Sequence, residues 1–194
     1  MVELSTTDLE FHPVTPERWG DLEKLFGPRG AIGGCWCMWW RIKRVEFEEQ
    51  QGDGNHQAMH DIIHSGKVSG ILAYHEGEPV AWCSVAPRED YPVLDRSPKL
   101  KRVDDQPVWS IVCFFIARPF RHQGFSTKML AAAVDFARHN GARIVEGYPI
   151  EPKKDRAPDI YIFTGMVSTF RKAGFVEAIR RSESRPIMRY YIEG

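Results

Sequence analysis

With 194 residues, 43% of them hydrophobic, and a formal net charge of zero, the chain has enough apolar material for one buried core. It has no bulk charge with which to hold nucleic acid or an anionic membrane, so neither is an expected partner. The opening "MVELSTTDLEF" has no basic region feeding an apolar one. The longest apolar run, "VWSIVCFFIA", is about half the ~20 residues that a spanning helix needs. Cys35, Cys37, Cys83 and Cys113 make no disulfide framework, so the expectation is one soluble, cytoplasmic domain over residues 1–194.

Taken in chain order, "DLEFHPV" alternates like a short strand. "TPERWGDLEKLFG" then reads as a helix, with Thr15 as N-cap, Pro16 at its first position, Trp19, Leu22, Leu25 and Phe26 at helical spacing, and Gly27 as its stop. A glycine-rich loop, "GPRGAIGGCWCMWWR", carries three tryptophans. Beyond it a polar helical stretch breaks at "GDGN" and resumes through His64. "SGILAYHE" and "EPVAWCSVAP" flank the "EGE" turn as a hairpin, in which Trp82 is expected to pack.

The second half opens on "VWSIVCFFIA", apolar on both faces and therefore a central strand. "FSTKMLAAAVDFARHNG" is a helix whose last turn carries Arg138 and His139 before Gly141, which suits a C′ position. "ARIVEGYPI" reads as another buried strand. A short helix, "STFRKAG", and the strands "FVEAIRRS" and "PIMRYYIE" close the chain.

Between the central strand and its helix lies "RPFRHQGFS", residues 118–126. A helix start presents backbone N–H groups without intrahelical acceptors, together with the positive end of the macrodipole, and so binds phosphate wherever side chains leave room. Gly124 and Ser126 leave that room, and Arg121 adds a fixed charge. The pattern R-x-x-G-x-S has no lysine followed by serine or threonine after the glycine and no G-x-G-x-x-G, which excludes a P-loop and a dinucleotide fingerprint.

Together with the apolar strand before it and the "FRKAGF" after it, this pattern resembles the GNAT superfamily of acyl-CoA-dependent N-acyltransferases. The likeness covers most of the chain in order: strand, two helices, hairpin, central strand, phosphate loop, helix, strand, helix, terminal strands. It implies an α/β fold with a mixed, mostly antiparallel central sheet, splayed parallel central strands and flanking helices. It also implies acetyl-CoA as co-substrate and an amine as acceptor. The reaction would be direct, sequential transfer of the acetyl group. The alternative is a catalytically silent acyl-CoA-binding or regulatory module.

Carried onto this sequence, the resemblance has the backbone from Arg121 through His122, Gln123, Gly124 and Phe125 to Ser126 hold the CoA pyrophosphate. Main-chain groups of Phe114, Phe115 and Ile116 would pair with the pantetheine arm. Ser126 stands where the family carries glycine or alanine, and its hydroxyl is expected to fit and to cap the helix. Phe170 stands where much of the superfamily has a tyrosine that protonates the leaving thiolate. A phenyl ring packs against pantetheine but gives no proton, so Ser168, Tyr148 or solvent is the expected donor.

The chemistry needs a base for the ammonium and a donor for the oxyanion. A backbone N–H of the central strand serves as donor. Glu146 in "RIVEGYP" is the first candidate base, acting directly or through water, with Glu151 behind it. Cys113 raises a covalent variant, against which a buried structural thiol is the simpler reading. Trp36, Trp39 and Trp40 sit on a loop that the resemblance sets beside the acceptor site, and are taken as substrate-binding. Arg88 and Glu89 either contact an acceptor or are solvated. Cys35 and Cys37, with His56, His60 and His64 on one helical stripe, lack the spacing of a zinc site, and no metal is expected.

Overall fold

The computed structural model describes residues 9–152 and 163–193. Seven strands form one sheet: β1 Leu9–Pro13, β2 Ile71–His75, β3 Glu78–Pro87, β4 Trp109–Ile116, β5 Ile144–Gly147, β6 Val176–Arg180 and β7 Pro186–Tyr191. Their order is β1-β2-β3-β4-β5-β7-β6. Only β4 and β5 run parallel; the other neighbours are antiparallel. This is the mixed, mostly antiparallel α/β sheet with parallel central strands that the sequence reading expected.

One face of the sheet is covered by α1 Trp19–Phe26, a wide turn at Gly30–Gly34, α2 Arg44–Glu49, α3 Asp53–His64 and α4 Val93–Arg96. Leu22, Phe47, Met59 and Leu94 press from these helices onto Trp82, Val112 and Tyr148. The other face carries α5 Phe125–His139 and α6 Val167–Lys172. There Met129, Leu130, Ala133 and Phe170 meet Val85, Ile111, Val145 and Met188. Each large apolar side chain removed from water in these layers contributes about 1.5–3 kcal/mol before entropic costs.

Several local expectations change. Pro16–Arg18 is a 3₁₀ turn, Thr15 makes no side-chain cap, and α1 proper starts at Trp19. The break between α2 and α3 falls at Gly52, whose φ of 89° suits glycine, and "DGN" already belongs to α3. α4 and the loop before β4 had no signal in the sequence reading.

Two irregularities in β4 shape its free edge. Ser84 pairs with Cys113 while Val85 pairs with Ile111, so Val112 is an extra, bulged residue. Val112 and Cys113 therefore both face the α1 side, and the alternation resumes with Phe114 on the α5 side. The parallel β4–β5 ladder also lasts only three pairs and ends at Ile111↔Gly147. Beyond that point the two strands part, leaving the Phe114–Ile116 end of β4 unpaired with β5.

Candidate functional site

From the parted end of β4 the chain makes a 3₁₀ turn at Arg118–Phe120 and enters α5. Gly124 is the N-cap residue, in the left-handed conformation at φ 79°, and His122 is also left-handed at φ 61°. The first turn closes on the Gly124 carbonyl through Thr127 N–H at 3.1 Å. The earlier N–H groups of α5, those of Phe125 and Ser126, have no place in that ladder. A side chain built on Gly124 would meet no atom within 4 Å, and no acidic residue stands in the first turn. Ser126 thus lies inside the helix and does not cap it. Arg121 is fixed across the turn by an Nε hydrogen bond of 2.8 Å to the Ile116 carbonyl, and Gln123 braces the turn on the Pro119 carbonyl at 2.7 Å.

A groove of about 340 Å³ joins this helix end to β4. Its floor is Phe114, Phe115 and Ile116. One end holds Arg121, His122, Gly124, Phe125, Ser126 and Thr127. Its far wall is Phe163, Gly165, Met166, Thr169 and Lys172, and Ile32 closes it from the glycine-rich turn. A larger hollow of about 740 Å³ runs between β1 and the later part of α5, beside Asp135, Arg138 and His139. That region approaches the negative end of the α5 dipole. The smaller groove is the one that contains the N-terminus of α5, together with Arg121, His122 and Lys172.

The main-chain edge is only partly open. Ala117 N–H donates to Val80 on β3 at 2.9 Å, so by the two-residue alternation Phe115 also faces β3, while Phe114 and Ile116 face the parted side. Phe114 N–H donates to the Phe163 carbonyl at 2.7 Å. Gly165 C=O accepts from Ile150 N–H at 3.0 Å. The segment entering α6 therefore bridges the gap between β4 and the continuation of β5.

Glu146, the expected base, lies outside the groove. It is 1% exposed on the α1 side. One carboxylate oxygen accepts from Arg88 at 2.9 Å and from the Tyr148 hydroxyl at 2.8 Å. The other accepts from Arg189 Nε at 2.8 Å. Arg88 reaches on to Asp95 at 2.7 Å and to the Leu100 carbonyl at 2.9 Å, and Arg189 holds Asp104 with both terminal nitrogens. The network staples the loop between β3 and β4 onto the sheet. Arg88, expected at the acceptor or in solvent, is buried in it, whereas Glu89 is exposed beside Arg102. Glu151 pairs with Arg180 at the surface.

Tyr148 is fully buried in the same network, bonded also to Ser110 at 2.8 Å. Burial, and then the charge of Glu146, push its hydroxyl well above the ordinary phenol range. Ser168 points to solvent. Thr169, the next residue, supplies the α6 hydroxyl that lines the groove. Phe170 lies beneath the wall, edge-on to Phe114 at 6.2 Å and Phe175 at 4.9 Å. Cys113 is buried on the α1 side.

Trp36 and Trp40 are buried in the core, Trp39 is half-buried against it, and none of the three lines the groove. Trp36 stacks on Trp19 at 5.9 Å and meets His56 at 4.3 Å. Trp39 lies under the Arg44 guanidinium at 4.2 Å, and Trp40 is buried. His56, His60 and His64 gather around Trp19, with His56 bonded to Glu23 at 2.7 Å. Sequence reasoning missed Ile32, Phe163, Met166, Thr169 and Lys172. For Thr169 a signal existed: with Val167 and Phe170 on the buried face of a six-residue helix, Thr169 and Lys172, three apart, share a side.

Residues 36–158 match the family model described as the Acetyltransferase (GNAT) family. The chain belongs to that family. No curated protein matches the sequence. Among solved structures, a GNAT-family acetyltransferase from Streptococcus agalactiae superposes with a TM-score of 0.58 at 14% identity, over 97% of this chain and 98% of that one. An N-acetyltransferase from Thermoplasma acidophilum in complex with coenzyme A gives 0.53 at 12% identity, over 96% and 100%. An aminoglycoside acetyltransferase in complex with coenzyme A and kanamycin gives 0.55 at 16%, over 95% of each chain. At these identities the likeness is one of fold. Among the described residues no helix is long and apolar enough to cross a membrane.

Proposed function

We propose that the protein is an N-acetyltransferase that moves the acetyl group of acetyl-CoA directly to an amine. The observation that carries this reading is the groove that connects an uncapped, carboxylate-free helix N-terminus to the parted end of β4. Phosphates at the α5 end would take the N–H groups of Gly124, Phe125 and Ser126 and the charge of Arg121 and Lys172. Such a ligand then has its arm along Phe114 and Ile116, the two floor residues whose main chain faces the gap. Phe114 N–H is the donor best placed for the thioester carbonyl and its oxyanion, after exchange with the Phe163 carbonyl. The free thiols of all four cysteines fit operation in the cytoplasm.

For deprotonation we assign no direct role to Glu146, because its carboxylate is buried and already holds two guanidinium groups. The amine reacts in the fraction that solvent leaves neutral. For the leaving thiolate, with an ordinary thiol pKa near 8.5, the Thr169 hydroxyl is the nearby donor and solvent the alternative. Phe170 supports the wall.

The test is turnover with acetyl-CoA across a panel of amines, following release of free CoA thiol. Acceptor-dependent release, with the acetylated amine recovered, supports transfer. Binding of CoA with no acceptor-dependent release favours a silent acyl-CoA-binding module.

A further inference from the structure

The turn between β6 and β7, residues 181–185, is fixed from several sides. The Ser184 carbonyl accepts from Glu151 N–H at 2.9 Å, and Arg185 N–H donates to the Ser182 carbonyl at 3.4 Å. Arg181 spreads its guanidinium over the Lys101 and Arg102 carbonyls. The turn also leaves the Ser182 hydroxyl buried without a hydrogen-bond partner.

What this turn presents is Arg185. The side chain is half-buried, and its guanidinium reaches only the Tyr148 carbonyl at 3.4 Å and the Thr164 hydroxyl at 3.5 Å, both at the long limit of a hydrogen bond. Among the described residues it makes no ion pair. Burial therefore holds it below the ordinary arginine range. At Arg189 burial acts in the same direction and is outweighed by Asp104 and Glu146; Arg185 has no such carboxylate. A cation that has lost hydration without gaining an anion gains most from an anionic ligand.

Its place in the fold sets which ligand that is. Thr164 lies between Phe163 and Gly165, at the end of the groove's far wall where the Phe163 carbonyl meets Phe114 N–H. Arg121 and Lys172, given above to the phosphates, stand on the α5 and α6 parts of the lining. Arg185 comes two residues before Ile187, which packs on the α1 side of the sheet, as do Phe115 and Phe163. An acceptor that enters from that side brings its amine to the thioester with Arg185 beside the rest of the molecule.

We propose, resting on the acetyl-transfer reading above, that the acceptor is an amino acid, an amine that carries its own carboxylate, and that Arg185 binds that carboxylate through its paired N–H groups. In the transfer step the amine nitrogen forms the bond to the acetyl carbon, the carbon–sulfur bond breaks, CoA leaves as thiolate, and one proton passes from nitrogen to solvent.

The test uses amino acids matched with their decarboxylated amines: L-phenylalanine with phenethylamine, L-leucine with isopentylamine, L-lysine with cadaverine and β-alanine with ethylamine. Each is assayed with acetyl-CoA on the wild-type, Arg185→Lys, Arg185→Gln and Arg181→Gln proteins. In the pairs it acetylates, wild type is expected to favour the amino acid by at least about tenfold in kcat/KM. Arg185→Lys should keep part of that preference and Arg185→Gln should lose it, whereas Arg181→Gln, in the same turn, should keep it. Comparing proteins on the same amines removes any difference in amine basicity. Equal or reversed preference in wild type, acetylation of amines but of no amino acid, or an Arg185→Gln protein that discriminates like wild type overturns the inference. Should Arg185→Gln not fold, the wild-type preference and its reduction in Arg185→Lys decide. If CoA binds but nothing is acetylated, the transfer reading fails and calorimetry of the four amino acids on the CoA complex decides the inference by itself. Binding weakened at least about tenfold in Arg185→Gln supports it; no binding, or equal binding in the two proteins, overturns it.

Discussion

Phe114 donates its amide proton to the Phe163 carbonyl across 2.7 Å, closing the gap that β4 and β5 open beyond Ile111 and Gly147. The bond occupies one of the two floor N–H groups on the parted side, so in the proposed reading CoA competes with Phe163 for the Phe114 donor. The approach of the two segments depends on Gly165, at φ 86°, where an added Cβ would lie 2.7 Å from Phe170 and 3.3 Å from Phe114. Gly165→Ala is expected to cost about 1–3 kcal/mol of stability through overpacking and to weaken CoA binding. Thermal melts and a CoA titration on the folded variant check both.

Glu146→Gln separates a structural carboxylate from a catalytic one. Removing the charge leaves Arg88 and Arg189 facing each other with one anion missing, and breaking a buried pair in this way costs about 3–5 kcal/mol. The expected outcome is a large fall in melting temperature, with the shape of the pH–rate profile of the folded fraction unchanged. Loss of the acidic limb with little change in stability would restore Glu146 as the base.

Most of the fold was legible in the sequence because period and punctuation agree in each element. Gly27 and Gly141 stop their helices, Glu76 and Gly77 turn the hairpin, and the β4 run is apolar on both faces. The turn into α5 was legible for the same reason: spacing on a local segment marks where the helix starts, at Phe125 after Gly124. The tryptophans and Glu146 were misplaced because nothing local says which side of the sheet a side chain takes. Val112 is bulged, which reverses the alternation along β4, and the partners of Glu146 come from residues 88 and 189. Ile32 was hidden because the turn that carries it is held by Gln51, Gly52 and Asn55.

On α6 the two hydroxyls give opposite expectations. Thr169→Val should lower turnover by up to about tenfold, a modest loss because a thiolate leaves readily, whereas Ser168→Ala should leave it unchanged. Phe170→Leu should act on stability, by about 1 kcal/mol as a volume-changing core swap, and not on the pH dependence. Steady-state turnover from pH 6 to 10, with melts of each variant, reads all three.

Acid should loosen the loop before β4. The Arg189 hydrogen bond holds the Asp104 carboxyl down at about 2. A depressed native value means stabilisation that is complete above the ordinary carboxylate range and lost as pH falls from about 4 towards 2. Asp104→Asn should therefore melt below wild type at pH 6, and the difference should shrink as pH approaches 2. A difference independent of pH would contradict the assignment.

The central claim is that the N-terminus of α5 holds the phosphates of CoA, and calorimetric titration of CoA into wild-type and Gly124→Glu protein tests it most directly. Gly124 has open space where a Cβ would be, and a carboxylate there brings bulk and like charge to the bare amides without touching the core. The account expects saturable one-to-one binding by wild type and none by a Gly124→Glu protein whose circular dichroism remains native; equal affinity in the two would contradict it.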